Sequence, residues 1–175
     1  MYKIENILTK KECDTLKTAF YVEKKLNQNW DLNPDKTSSN TYGFQPSNLF
    51  NSYMNTLRPK ISSYIKNDYK NVNTYIREYK NGSFLEKHTD RDDIGITLTI
   101  CLENTTGQAW PIKAIYNNKE YEFNTEIGDG VLLIDSNKTI HWREKLECEN
   151  DKSFIFLFIH WKAAGELDKK NKTLI

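Results

Sequence analysis

The chain has 175 residues, with 25 Lys or Arg against 24 Asp or Glu and a formal net charge of +1. That balance argues against a nucleic-acid binder working through bulk electrostatics, although a local basic groove is still compatible with it. With 13% aromatic and 28% charged residues, the composition is that of a folded globular protein and not of a disordered chain. A chain of this length is expected to form one domain over 1–175, with a core that needs no staples. No apolar run approaches membrane-spanning length, and the opening MYKIENILTKKEC lacks an apolar signal core, so a cytoplasmic protein without a membrane partner is expected. Cys13, Cys101 and Cys148 are odd in number, widely spaced and form no CxxC pair. They read as reduced thiols, not as a zinc site or a disulfide frame.

In chain order, YKIENIL (2–8) suits a short strand, and Thr9 with Glu12 forms a capping box for a following helix. Cys13, Leu16 and Phe20 then fall on one helical face. Residues 27–46, rich in Asn, Ser, Pro and Asp, read as a long polar loop of the kind that covers binding sites, with Trp30, Tyr42 and Phe44 available to pack down or touch a substrate. A second helix opens near Ser47 with Leu49, Phe50, Tyr53, Met54 and Leu57 at helical spacing. Pro59 is expected to kink or split it before Ile61. Helical support thus covers about 9–67.

From residue 72 the period changes to two. VNTYIREY (72–79) places Tyr75, Arg77 and Tyr79 on one face, and Asn81-Gly82 reads as a turn. IGITLTICL (94–102) sets Ile96, Leu98, Ile100 and Leu102 against Thr97, Thr99 and Cys101. Further strands are expected at 110–116, 119–123, 130–135 and 153–161, with turns at Thr106-Gly107, Asn117-Asn118 and Gly128-Asp129-Gly130. The fold class is therefore mainly β with N-terminal helices (α+β), an antiparallel sandwich or jelly roll over about 72–161. The tail from Gly165 reads as a poorly ordered terminus.

Three histidines are present, His88, His141 and His160. His88 and Asp90 form an HxD pair whose side chains share a face if the segment is extended. The plainer alternative is a turn in which Asp90 caps a loop and His88 is exposed. His141 follows the apolar GDGVLLID and is placed to lie on a second strand facing the first. His160 is a rival ligand, more simply read as a core or edge histidine beside Trp161. Two imidazoles and a carboxylate are the ligand set of non-haem Fe(II) oxygenases, which leave positions open for a cosubstrate and dioxygen. A dicarboxylic cosubstrate needs a cation. Lys152, leading KSFIFLFIHW, is the favoured anchor, and Arg143, able to grip a carboxylate in bidentate fashion, competes with it. For Arg143 the plainer alternative is a local salt bridge to Glu144 or Glu147, and for Lys152 a surface position. Tyr79, Trp110 and Trp142 read first as core residues, and Asp92-Asp93 as a solvated loop.

Taken together, these segments resemble the Fe(II)- and 2-oxoglutarate-dependent dioxygenases, in particular the prolyl 4-hydroxylase-like branch. The resemblance rests on Tyr79-Lys-Asn-Gly82-Ser-Phe-Leu-Glu-Lys-His88-Thr-Asp90, on Thr97 to Asn104, on Thr106-Gly107-Gln-Ala-Trp110-Pro111, on Gly128-Asp129-Gly130 before His141, and on Ile4 to Cys13. It implies a double-stranded β-helix core with iron held by His88, Asp90 and His141, and with 2-oxoglutarate bound by the metal, a basic residue (Lys152 or Arg143) and Tyr79. It further implies hydroxylation of a C–H bond, foremost in a peptidyl proline, with 2-oxoglutarate decarboxylated to succinate and ascorbate as a candidate reductant. The sequence departs from that pattern by lacking one Gly of a Gly-Gly pair and by carrying the long, charged WREKLECEND after His141. Alternatives are a non-catalytic jelly-roll binding module and a dioxygenase acting on a small molecule or nucleic acid, the last disfavoured by the charge balance.

Overall fold

In the computed structural model, residues 1–26, 38–45, 47–65 and 68–163 are described. Trp30 and most of the expected polar loop, along with the tail from Gly165, lie outside the described residues. The elements are β1 (Tyr2–Ile4), α1 (Lys10–Leu26), β2 (Ser38–Phe44), α2 (Asn48–Ile61), a 3-10 turn (Ser62–Tyr64), β3 (Tyr69–His88), β4 (Ile96–Asn104), β5 (Ile112–Tyr116), β6 (Lys119–Phe123), β7 (Gly130–Ile134), β8 (His141–Arg143) and β9 (Ser153–Ala163). The strands pair antiparallel in the order β1-β7-β4-β9-β3-β8-β5-β6, with β2 added to β3. The result is a nearly closed antiparallel barrel, the jelly-roll core expected from the sequence.

Strand alternation sorts the two faces. Ile96, Leu98 and Ile100 of β4, and Ile155, Leu157, Ile159 and Trp161 of β9, point outward into one apolar cluster. That cluster is completed by Leu16 and Phe20 of α1 and by Phe50, Met54 and Leu57 of α2. Burying some twenty such side chains is the main cohesive force between helices and sheet. The alternate residues of the same strands face the barrel interior, where Tyr79, Cys101, Trp110, Leu146, Phe154 and Phe156 form a second cluster.

Helix α1 begins as its capping box dictates: the Thr9 N–H donates to Glu12 Oε2 at 2.7 Å, and the Glu12 N–H donates to Thr9 Oγ1 at 3.3 Å. Helix α2 differs from expectation, running through Pro59 to Ile61 before tightening into the 3-10 turn. Because Pro59 lies in the last turn, only one internal hydrogen bond is forgone there, and Leu57 and Ile61 remain buried.

The largest difference concerns Asn81-Gly82. No hairpin turn occurs there; β3 is a single strand of 20 residues. Its first half pairs with β9, from Tyr69↔Ala163 to Lys80↔Ser153. Its last residues pair with β8, through Leu85↔Arg143 and His88↔His141. Gly82, at φ +83°, lies between the two pairings, so it serves as a bend inside a shared strand. The second difference is β2, which the polar composition of 27–46 hid: Tyr42 and Phe44 belong to a strand whose partners on β3 include Glu78 and Ile76.

The Gly-Asp-Gly segment before β7 docks the N-terminus. Asp129 accepts the N–H groups of Asn6 and Glu126 and pairs with Lys3 at 3.1 Å. Gly128 has φ +94°, and a Cβ there would stand 2.6 Å from the Leu8 carbonyl oxygen. Gly128→Ala is expected to destabilise the fold by about 2 kcal/mol or more through strain and this clash. Urea denaturation checks it, the predicted outcome being a lower midpoint at unchanged slope.

Candidate metal centre

His88, Asp90 and His141 converge at one end of the barrel, each offering one ligand atom within 4.8 Å of the others. They are brought together by the β3–β8 pairing, which sets His88 directly across from His141, and by the reach of the segment just past β3 to Asp90. The two imidazole centroids are 4.3 Å apart. Both rings are oriented the same way. Nδ1 of His88 lies 2.8 Å from the Glu86 carbonyl oxygen and Nδ1 of His141 lies 2.9 Å from that of Thr139. A carbonyl can only accept, so each Nδ1 carries the proton and each Nε2 keeps its lone pair for an ion. Nε2 of His141 is 3.7 Å from Asp90 Oδ1.

The third ligand is fixed by a residue that reading the motif alone does not reveal. Thr97 of β4 donates its hydroxyl to Asp90 Oδ2 and also lies 3.2 Å from the Ser136 hydroxyl. Burial works to raise the Asp90 carboxyl, but His141 and the Thr97 hydroxyl outweigh it and hold the group below its ordinary range. His141 is pushed below its ordinary value chiefly by burial, so it is neutral at pH 7. An ionised Asp90 and a neutral His141 at neutral pH are the protonation states a divalent cation requires of them.

Behind the triad runs a cavity of about 380 Å³. Its walls follow from strand phase: Asn73, Tyr75, Arg77 and Tyr79 from β3, Thr97 and Thr99 from β4, and Phe158 and His160 from β9. Tyr75, Arg77 and Tyr79 thus share a face, as their alternation predicts. His160 lies apart from the ligand group, with Nδ1 3.0 Å from Asn73 Oδ1.

The two candidate anchors are placed very differently. Lys152 precedes β9, is about one-third exposed and pairs with Asp151 at 3.8 Å; neither it nor Arg143 is among the residues that line the cavity. Arg143 is 1% exposed. Its guanidinium lies 4.0 Å from the Phe156 ring centroid and 4.9 Å from that of Trp110, and Nη1 donates to the Trp110 carbonyl. Among the described residues, Nε and Nη2 of Arg143 and the hydroxyl of Tyr79 are buried with no hydrogen-bond partner. Burial pushes the Arg143 guanidinium down to about 10, so it stays charged at neutral pH, and Tyr79 is near enough to act on its charge. The local alternative for Arg143 does not form: Glu144 accepts from Trp142 Nε1 and lies 3.5 Å from Lys113. Of the remaining candidates, Trp110 is buried against Tyr79, Trp142 is buried under Lys87, and Asp93 pairs with Arg91 at the surface. The cysteines form no disulfide.

No family model matches the chain, and no curated protein matches it in sequence. Its fold, however, is that of solved 2-oxoglutarate and Fe(II) oxygenases. A viral collagen prolyl hydroxylase from Paramecium bursaria Chlorella virus-1, solved with 2-oxoglutarate, matches at a TM-score of 0.66 and 17% identity, over 93% of this chain and 96% of that one. A prolyl-4-hydroxylase of Pseudomonas putida matches at 0.68 and 12% identity, over 94% and 92%. HygX of Streptomyces hygroscopicus, solved with nickel, 2-oxoglutarate and hygromycin B, matches at 0.67 and 9% identity, over 93% and 82%. At these identities the likeness is one of fold. Among the described residues no helix is long and apolar enough to cross a membrane.

The Thr97 hydroxyl is expected to tune the centre. Thr97→Val keeps the strand and its volume while removing the donor to Asp90, and should weaken divalent-metal affinity about 10- to 100-fold. A chelator competition titration with Mn(II) measures this; unchanged affinity would show that Asp90 needs no such support.

Proposed function

We propose that this chain is an Fe(II)- and 2-oxoglutarate-dependent dioxygenase that hydroxylates a C–H bond, with a peptidyl prolyl side chain as its target. The observation that carries this reading is the combination of two unsatisfied sets of groups joined through Tyr79, which lines the cavity beside the triad and lies near the buried Arg143. At one end are the lone pairs of a His-Asp-His triad; at the other are the partnerless donors of Arg143 and Tyr79. A buried charge and three orphaned polar atoms are costly unless a ligand supplies acceptors. A dicarboxylate with one metal-binding end fits both sets.

His88, Asp90 and His141 would hold the metal, with Nδ1 protons anchored on the Glu86 and Thr139 carbonyls. When bound, Fe(II) and 2-oxoglutarate supply the oxidising chemistry, in which dioxygen and 2-oxoglutarate are consumed, succinate and carbon dioxide leave, and one oxygen atom enters the substrate. Arg143 would grip the distal carboxylate through Nε and Nη2, the two atoms left over once Nη1 is spent on Trp110. Tyr79 would add its hydroxyl. Phe156, Phe154 and Trp110 surround this end with apolar surface, excluding water and strengthening the ion pair. Lys152 is left with a surface role, its exposure and its Asp151 partner arguing against the anchor function.

The prolyl target is supported by the two prolyl hydroxylases that share the fold and by Tyr75 and Phe158, whose rings lie 6.5 Å apart in the cavity wall. The polar groups of the same wall, Asn73, Arg77 and His160, favour a second reading, a polar small-molecule substrate. Incubation with Fe(II), ascorbate, 2-oxoglutarate and a panel of proline-containing peptides separates these. Succinate with a peptide product one oxygen heavier supports the first reading, and succinate without it supports the second. No succinate under any condition would leave a non-catalytic binding module.

Three substitutions test the residue roles. Asp90→Ala should abolish Fe(II) binding and turnover. Arg143→Ala should raise the 2-oxoglutarate KM by about 100-fold or more, as expected when a buried charged hydrogen-bonding partner is lost, while Lys152→Ala leaves it within about twofold. The reverse pattern would return the anchor to Lys152.

A further inference from the structure

The cavity wall contains a histidine for which the metal and the cosubstrate have no use. His160 lines the cavity and sits in register with Thr97 on one side and Asn73 on the other, at the triad end of β9. Its Nδ1 lies 3.0 Å from Asn73 Oδ1. The Asn73 Nδ2 group points to the Thr74 carbonyl at 3.5 Å, which leaves the amide oxygen as the atom facing His160. An amide oxygen only accepts, so Nδ1 bears the proton and Nε2 is a bare acceptor. Nε2 makes no hydrogen bond among the described residues. Burial pushes the ring down to about 4 against the opposing pull of Asp90, so it is unprotonated at neutral pH.

We propose that His160, oriented by Asn73, is a specificity-determining residue that accepts a hydrogen bond from an N–H or O–H donor on the substrate next to the carbon that is oxidised. The physical ground is that an acceptor in a cavity loses water when the substrate enters, and a substrate without a donor leaves it unsatisfied. Taken with the prolyl reading, on which this inference rests, the consequence is specific. A proline ring within a peptide has no N–H, so the donor must come from the adjoining residue. The preferred substrate is then a peptide in which proline neighbours a residue with a free backbone N–H, not a run of prolines.

The test compares two decapeptides, (Pro-Ala)5 and decaproline, titrated calorimetrically into the full chain loaded with Mn(II) and 2-oxoglutarate. The expected result is about tenfold tighter binding of (Pro-Ala)5, the effect of one satisfied neutral hydrogen bond. His160→Phe should bring the ratio below about threefold by weakening (Pro-Ala)5, and His160→Gln, which keeps an acceptor, should restore most of it. Equal binding of the two peptides, or a preference that survives His160→Phe, overturns the inference and leaves the prolyl reading intact. Binding of neither peptide removes the prolyl reading, and the inference is then decided on histidine alone. The full chain, labelled with nitrogen-15 at histidine and loaded with Zn(II) and 2-oxoglutarate, is titrated with N-methylacetamide and with N,N-dimethylacetamide. A shift of the His160 Nε2 resonance by the first and not the second supports the inference; equal shifts, or none, overturn it.

Discussion

The structure depends on β3 belonging to two pairings at once. Because Tyr69 to Lys80 pairs with β9 while Leu85 and His88 pair with β8, one strand lines the interior with Tyr79 and then delivers His88 to the triad. Slipping either pairing by one residue would turn the alternate set of side chains inward. Tyr75, Arg77 and Tyr79 would leave the cavity, and Ile76 would leave the helix-facing core. The register is therefore held by the same apolar burial that attaches α1 and α2 to the sheet. Core packing and site geometry are one constraint, and Gly82 permits it by taking a backbone conformation that side chains resist.

Electrostatics divide the interior into two ends. At the triad the charges are arranged for a cation: a carboxylate held ionised and the His141 imidazole held neutral. At the other end Arg143 is wholly buried, flanked by aromatic faces, with a single carbonyl accepting from it. A lone buried guanidinium is tolerated only where its environment, or a ligand, returns the solvation it has lost. The aromatic rings return part, and the orphaned Nε and Nη2 show how much is left for an anion to supply.

Much of this was legible in the sequence, for reasons that differ by element. Period-two alternation in ITLTICL and SFIFLFIHW marked both faces of the central strands, and the Thr9–Glu12 box marked the start of α1. HxD and His141 were each weak signals alone, and the family resemblance in the order and spacing of several segments joined them into one ligand set. What escaped were features that depend on partners distant in sequence. Gly82 has the composition of a turn, yet a continuous β3 is stabilised by neighbours on both sides. The strand at 38–44 has polar, loop-like residues and forms only because β3 offers an edge. Lys152 and Arg143 both stood open as anchors, with a surface position for Lys152 as the plainer alternative, because where a side chain just ahead of a strand points is decided by the preceding segment. The charged stretch after His141 keeps Lys152 at the surface, and Arg143, two residues past His141 and in phase with it, takes the interior position.

The proposed chemistry requires a metal at one end of the interior and a carboxylate at the other. Calorimetric titration of the chain with 2-oxoglutarate and with 2-oxobutyrate, each with and without Mn(II), tests this most directly. The expected result is one-to-one binding of 2-oxoglutarate that needs the metal, and much weaker binding of 2-oxobutyrate, which keeps the metal-binding end and lacks the distal carboxylate. Equal affinity for the two acids, or 2-oxoglutarate binding that is indifferent to Mn(II), would contradict it.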